Sequence, residues 1–210
     1  MTRVALIDYG SGNLHSCARA LAAAAGSADE IKVTNRPEDI ETADRVVLPG
    51  VGHFADCAAA LAALPGLVEA MDTHIVRRGR PFLGICVGLQ LMMDFGLEDG
   101  RTEGLCWIPG KVAALEPAPG RPVPHVGWNE VELRGPHPVL DGLGPEPHAY
   151  FTHSYACKPR RIDYVAAWSH YGDPIAAALT SNNLFGTQFH PEKSQKVGLT
   201  ILSNFLKWTP

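Results

Sequence analysis

The sequence predicts an α/β fold of three layers: a mixed, mostly parallel central sheet with helices on both faces and one sharp strand-to-helix corner. Three observations predict it. In the first half, short apolar runs alternate with stretches of helical periodicity, the order that builds parallel βαβ units. In the second half the apolar runs come closer together among frequent prolines, as antiparallel or mixed strands do. Between them, the run Pro81-Phe82-Leu83-Gly84-Ile85 ends at Cys86 and passes directly into a helical pattern.

Taken in order, residues 4–8 read as the first buried strand. The turn Gly10-Ser11-Gly12-Asn13 leads into an Ala-rich helix at 14–25, followed by strands at 31–34 and 45–48. After Pro49-Gly50-Val51-Gly52, helices are expected at 54–64 and 67–78, a strand at 81–85, and a helix at 87–95 with Leu89, Met92 and Met93 on one face. Further strands are expected at 106–112, 129–133, 149–155, 164–168, 175–180 and 184–188. A terminal amphipathic helix at 196–206 would pack Val197, Ile201, Leu202 and Phe205 on the sheet. No repeat, low-complexity tract or linker divides the chain, so one domain over residues 1–210 is expected.

Composition narrows the function. With 210 residues, 46% hydrophobic and 19% charged, the chain can bury one substantial core. A formal charge of -4 leaves no broad basic field for a phosphate backbone, which disfavours nucleic acid as the principal partner. No apolar run is long enough to span a bilayer, and MTRVALIDYG lacks the features of a secretion signal; a cytoplasmic protein is expected. Cysteines at 17, 57, 86, 106 and 157 are odd in number and lack CxxC spacing, which favours free thiols over a disulfide framework or structural zinc. Neither a cofactor nor a metal is expected.

Gly84-Ile85-Cys86-Val87-Gly88 has the spacing of a nucleophile elbow, where small residues two before and two after the nucleophile avoid a clash at the bend. A thiolate at the start of the following helix would be favoured by unpaired N–H groups and the helix dipole. A cysteine nucleophile needs a base, and the base needs a third group to hold its tautomer. His190-Pro191-Glu192 supplies both: His190 would stand at a strand end, with Pro191 turning Glu192 back toward the imidazole. The other eight histidines read mostly as surface residues or caps. Pro49-Gly50-Val51-Gly52 reads either as a tight turn or as a loop aiming the N–H of Val51 or Gly52 at an oxyanion, with the Val87 N–H as second donor.

Together, PGVG, GICVGLQ and FGTQFHPEKS closely resemble the three signature segments of class I, triad-type glutamine amidotransferases, in the same chain order. IDYGSGNLHS, PHVGWN, YFTHSYA and HPEKSQ add a narrower resemblance, to the glutaminase subunits of imidazole glycerol phosphate synthases. The resemblance implies Cys86 as nucleophile, His190 as general base and acid, and Glu192 as the residue orienting His190. It implies that glutamine lies against Gly52, Gln90, Glu98 and His153-Ser154-Tyr155, with Glu98 either holding the α-ammonium or belonging to an acidic surface stretch. It further implies a (β/α)8-barrel cyclase subunit as partner, with Asn13, Trp128 and Lys193 near the interface. The joint reaction would yield imidazole glycerol phosphate and aminoimidazole carboxamide ribotide in histidine biosynthesis. Trp128 reads equally as a core aromatic. Thr152 and Val126 depart from residues common in the family, away from the chemistry. The competing readings are a glutaminase for anthranilate, aminodeoxychorismate, pyridoxal phosphate or GMP synthesis, a catalytically silent regulatory subunit, or a peptide hydrolase.

Overall fold

The computed structural model describes residues 2–11 and 13–210; Gly12 of the predicted 10–13 turn lies outside them. The first half forms β1 (Arg3–Ile7), α1 (Leu14–Ala24), β2 (Glu30–Thr34), α2 (Pro37–Thr42), β3 (Arg45–Leu48), α3 (Phe54–Ala62), α4 (Leu67–Met71), β4 (Phe82–Ile85) and α5 (Val87–Gln90). The second forms β5 (Met93–Gly96), β6 (Thr102–Glu103), β7 (Ile108–Ala114), β8 (His125–Glu130), β9 (Glu132–Leu133), β10 (His148–His153), β11 (Tyr155–Pro159), β12 (Val165–Tyr171), β13 (Asp173–Ser181), β14 (Leu184–Thr187) and α6 (Gln195–Lys207).

Among the described residues the main sheet runs β2-β1-β3-β4-β14-β13-β12-β9, parallel from β2 to β14 and antiparallel beyond. Chain direction along the sheet reverses between the β1→β2 and β2→β3 steps. Because such crossovers are right-handed, α1 and α2 must cover opposite faces. The packing agrees: α1 lies against α6, and α2 against α4. Strands covered on both faces read as continuous apolar runs, and β3, β4 and β14 are buried almost throughout, whereas the edge strand β2 exposes Val33. Buried residues from Val4 to Trp208 form one contiguous core. Among the described residues no single helix is long and apolar enough to cross a membrane.

The terminal helix packs as predicted, with Ile201, Leu202 and Phe205 fully buried at about 1.5–3 kcal/mol each. Arg45 donates to the carbonyls of Phe205 and Trp208, satisfying the helix end. Three expectations need correction. The helix predicted over 87–95 stops at Gln90, because the carbonyls of Leu91, Met92 and Met93 accept N–H groups from Leu105, Trp107 and Cys106 instead of continuing the helical ladder. Residues 93–96 thereby become β5 in a second sheet, β11-β7-β5-β6. The strand expected over 149–155 breaks at Ser154: β10 pairs with β8, and β11 crosses to β7. Helix 67–78 turns into a wider π-helical turn over Asp72–Arg77.

Candidate active site

Cys86 stands beyond the carboxyl end of β4, between β3 and β14 in the parallel part of the sheet, and the carboxyl ends of the strands are the usual place for a ligand in an open α/β sheet. Cys86 follows β4 at φ +53° and ψ −107°, a conformation that costs a β-substituted residue roughly 1–3 kcal/mol. The bend is held by the Cys86 N–H donating to the Thr187 carbonyl at 2.7 Å. It also requires bare glycine: a Cβ on Gly88 would lie 1.9 Å from the Leu48 carbonyl oxygen, and one on Gly84 would lie 2.7 Å from the Gly88 oxygen. The helix that follows has only four residues, so it offers the sulfur less dipole support than the sequence suggests.

His190 lies beyond β14, its backbone N–H donating to the Tyr150 carbonyl at 2.9 Å. Its Nδ1 is 2.7 Å from Glu192 Oε1, and both side chains are 1% exposed. Ser194 Oγ donates to the His190 carbonyl and accepts from the Tyr150 N–H, stapling the His-Pro-Glu turn. The absence of a Cβ on Gly198 lets α6 press against Pro191, where a Cβ would sit 1.8 Å from the carbonyl oxygen. His190 Nε2 faces the Cys86 sulfur and has no regular hydrogen-bond partner among the described residues. Burial opposes its charge, but hydrogen bonding and negative charge at Cys86 and Glu192 prevail and push the imidazole up to about 9. The structure therefore brings Cys86, His190 and Glu192 together.

Asn13, expected near an interface, donates to Glu192 Oε1 at 2.5 Å and so also steadies the carboxylate that holds His190. Two of the backbone N–H groups expected as oxyanion donors are engaged within the chain. The Val87 N–H donates to the Gly50 carbonyl at 3.3 Å, and the Val51 N–H to Ser11 Oγ at 3.2 Å. Gly50 C=O and Val51 N–H belong to one peptide plane, so turning that plane over would free Val87 and redirect Val51 together. Ser11 Oγ opposes the turn by also donating to the Val51 carbonyl at 2.8 Å.

A cavity of about 310 Å³ opens on Cys86, lined by the oxyanion candidates Val51, Gly52 and Val87, by Gln90, Glu98, His153, Ser154 and Tyr155, which the resemblance implies as glutamine contacts, and by Pro124 and Thr152. Glu98 reaches it while one carboxylate oxygen caps α3 at the Phe54 N–H, 2.7 Å away. The His153 side chain is not free to bind: Nδ1–H donates to the Tyr155 carbonyl, so Nε2 must accept from His125 Nδ1 at 3.0 Å. Burial pushes both imidazoles down to about 4. With His74 also buried, these three overturn the surface reading of their type; His137 is a cap, accepting from the Val139 N–H.

Trp128 is 48% exposed, which excludes the core reading. It meets the Tyr150 ring edge-on at 6.1 Å, and Lys193 Nζ lies 5.8 Å from the same ring. This patch adjoins the His190 backbone through Tyr150. Sequence reasoning missed Gln188, which is fully buried with Nε2 3.7 Å from the Cys86 sulfur. It stands within FGTQFHPEKS, but no local pattern points it at the sulfur.

An elbow cysteine facing a buried His–Glu pair above a parallel sheet is an arrangement suited to thiol acyl transfer, and residues 5–208 match the profile of the class I glutamine amidotransferases. The chain belongs to that family. It is similar to the imidazole glycerol phosphate synthase subunit HisH of Mesorhizobium japonicum, 50% identical over 215 residues covering 99% of this chain and 100% of that protein. The subunit of the same description from Rhodospirillum rubrum is 52% identical over 213 residues, with the same coverage. Among solved structures, a glutamine amidotransferase shares the fold at TM-score 0.71 and 19% identity, over 93% of this chain and 94% of that one. Another, from Thermotoga maritima, does so at TM-score 0.62 and 18% identity, over 91% and 76%.

Proposed function

We propose that this single-domain chain is the glutaminase subunit of an imidazole glycerol phosphate synthase. The observation that carries the reading is that Cys86, which lines a cavity sized for a small amino acid, is faced by the buried His190–Glu192 pair. The Cys86 thiolate attacks the side-chain amide carbon of glutamine, and the tetrahedral oxyanion takes hydrogen bonds from the Val87 N–H and the loop at Val51 and Gly52. His190, protonated near neutral pH, gives its proton to the departing nitrogen, and ammonia leaves behind a γ-glutamyl thioester. Water then attacks the thioester as His190 takes its proton; glutamate departs and the thiolate returns. Glu192 holds the imidazole with Nε2 toward the sulfur throughout.

Glutamine sits against Gly52, Gln90 and the backbone at 153–155, with Glu98 meeting the α-ammonium. Before the oxyanion can be held, the 50–51 peptide must turn over, so the isolated chain is a slow glutaminase. The partner that drives the turn is a (β/α)8-barrel cyclase, received at the face carrying Trp128 and Lys193 and acting with this chain in the cytoplasm. Support comes from the likeness to HisH subunits and from the exposed aromatic patch beside the triad. Ammonia is a nucleophile only while unprotonated, which favours direct transfer to that partner. Mixing the chain with the barrel subunit, glutamine and the ribotide tests this: glutamate and imidazole glycerol phosphate should form in equal amounts. Glutamate formed without the imidazole product would contradict it.

A further inference from the structure

The triad leaves one buried amide beside the reacting sulfur, Gln188, without a role, and Gln90, which also lines the glutamine cavity, is hydrogen-bonded to it. The backbone of Gln188 is anchored by its N–H donating to the Ala177 carbonyl at 2.8 Å. Its side chain places Nε2 3.7 Å from Cys86 Sγ, while its Oε1 accepts from Gln90 Nε2 at 3.2 Å. Gln90 Nε2 has a second hydrogen, which it donates to the Tyr155 carbonyl at 3.0 Å.

The two ends of a glutamine amide have nearly the same shape and opposite roles, so orientation has to come from partners. Here the roles are fixed from one end. A backbone carbonyl only accepts, so Tyr155 obliges Gln90 to present its amino group. Gln90 in turn obliges Gln188 to present its oxygen to Gln90 and its amino group to the sulfur. A flipped Gln188 would set its oxygen against the sulfur and its amino group against that of Gln90, leaving buried donors unpaired at about 1–3 kcal/mol each. The Tyr155 carbonyl is itself held by the His153 Nδ1–H at 2.9 Å.

We propose that Gln188 is a further hydrogen-bond donor to the Cys86 sulfur, stabilising it as the thiolate, and that Gln90 is the positioning residue that keeps the Gln188 amide turned the right way. This rests on Cys86 being the nucleophile. It adds a side-chain donor where the short α5 gives the sulfur little help, and it explains why Gln90 faces the cavity with its amino group already engaged.

The test is the rate of Cys86 alkylation by iodoacetamide against pH, measured on the full chain alongside glutamine turnover in the assembled enzyme. The other groups facing the sulfur, His190, Tyr9, Cys57 and Cys157, stay in place in every variant. In Gln188→Met the profile should move to higher pH and the rate at pH 7 fall about tenfold, as for loss of a hydrogen bond to a charged group. kcat should fall with KM for glutamine little changed. Gln90→Met should move the profile the same way by less, since the Gln188 amide is then free to flip, and should raise KM as well. If thermal melting shows Gln188→Met unfolded, Gln90→Met alone reads the relay from its other end. An unmoved profile in the folded variants overturns the proposal. Alkylation of Cys86 that leaves glutamine turnover intact would instead overturn its role as nucleophile, a separate outcome.

Discussion

At the scale of residues, the protonation of His190 links stability to catalysis. Its pKa is raised above the ordinary value of about 6.5, so the stabilisation from Cys86 and Glu192 is full below that pH and is lost as pH rises through about 9. His125 and His153 are shifted the opposite way, so their contribution is present above about 6.5 and declines as pH falls toward 4. Thermal melts across pH 4 to 10 should therefore peak near 6.5, and Glu192→Gln should flatten the alkaline side only. The same substitution should reduce kcat for glutamate release by about 10²–10⁴, in line with removing the orienting carboxylate of a triad. A variant within twofold of the parent would show that Glu192 does not hold the imidazole. The Cys86–His190–Glu192 cluster is legible in the sequence because His190 and Glu192 are two residues apart and Cys86 lies between correctly spaced glycines. Gln188 is not, because its role depends on Gln90, 98 residues earlier, and on which way two amides point. The burial of His125 escapes for a similar reason: the Phe151 and Tyr171 rings stacked on it, at 4.8 Å and 4.0 Å, come from other strands.

At the scale of elements, the proposed mechanism makes the loop after β3 the part that must change before glutamine reacts. Ser11 holds both ends of Val51, and the Gly50 carbonyl occupies the Val87 donor. Ser11→Ala should ease the peptide turn and raise hydrolysis by the isolated chain about fivefold, the equivalent of one ordinary hydrogen bond. A rate unchanged or lowered would mean that Ser11 does not restrain the loop. The sequence shows the loop's glycines but not its state, since a PGVG turn is compatible with either orientation of one peptide plane. The helix predicted over 87–95 fails for a related reason: Leu89, Leu91, Met92 and Met93 are all buried, so periodicity cannot mark its end, and the backbone donors that terminate it come from residues 105–107.

At the scale of the molecule, the parallel βα units of the first half were legible, because each buried run and its helix form one unit, although the order of strands was not. The pairings of the second half were not legible either: among the described residues β9 joins the main sheet through β12, and β8 pairs with β10 apart from it. The same topology leaves Val126 and Trp128 exposed on β8, paired with Thr152 and Tyr150 of β10. Trp128→Ala should leave the melting temperature nearly unchanged and weaken binding to the barrel subunit roughly 30-fold, as for an interfacial hot spot. Equal affinity measured by titration calorimetry would remove this face from the interface.

One sulfur atom, in the proposed division of labour, does the glutamine chemistry and none of the chemistry that consumes ammonia. The most direct measurement is Cys86→Ala in the assembled enzyme, assayed once with glutamine and once with an ammonium salt. Glutamine-dependent turnover should vanish while ammonium-dependent synthesis persists at the parent rate. Persistence of glutamine hydrolysis, or loss of both activities in a folded complex, would contradict it.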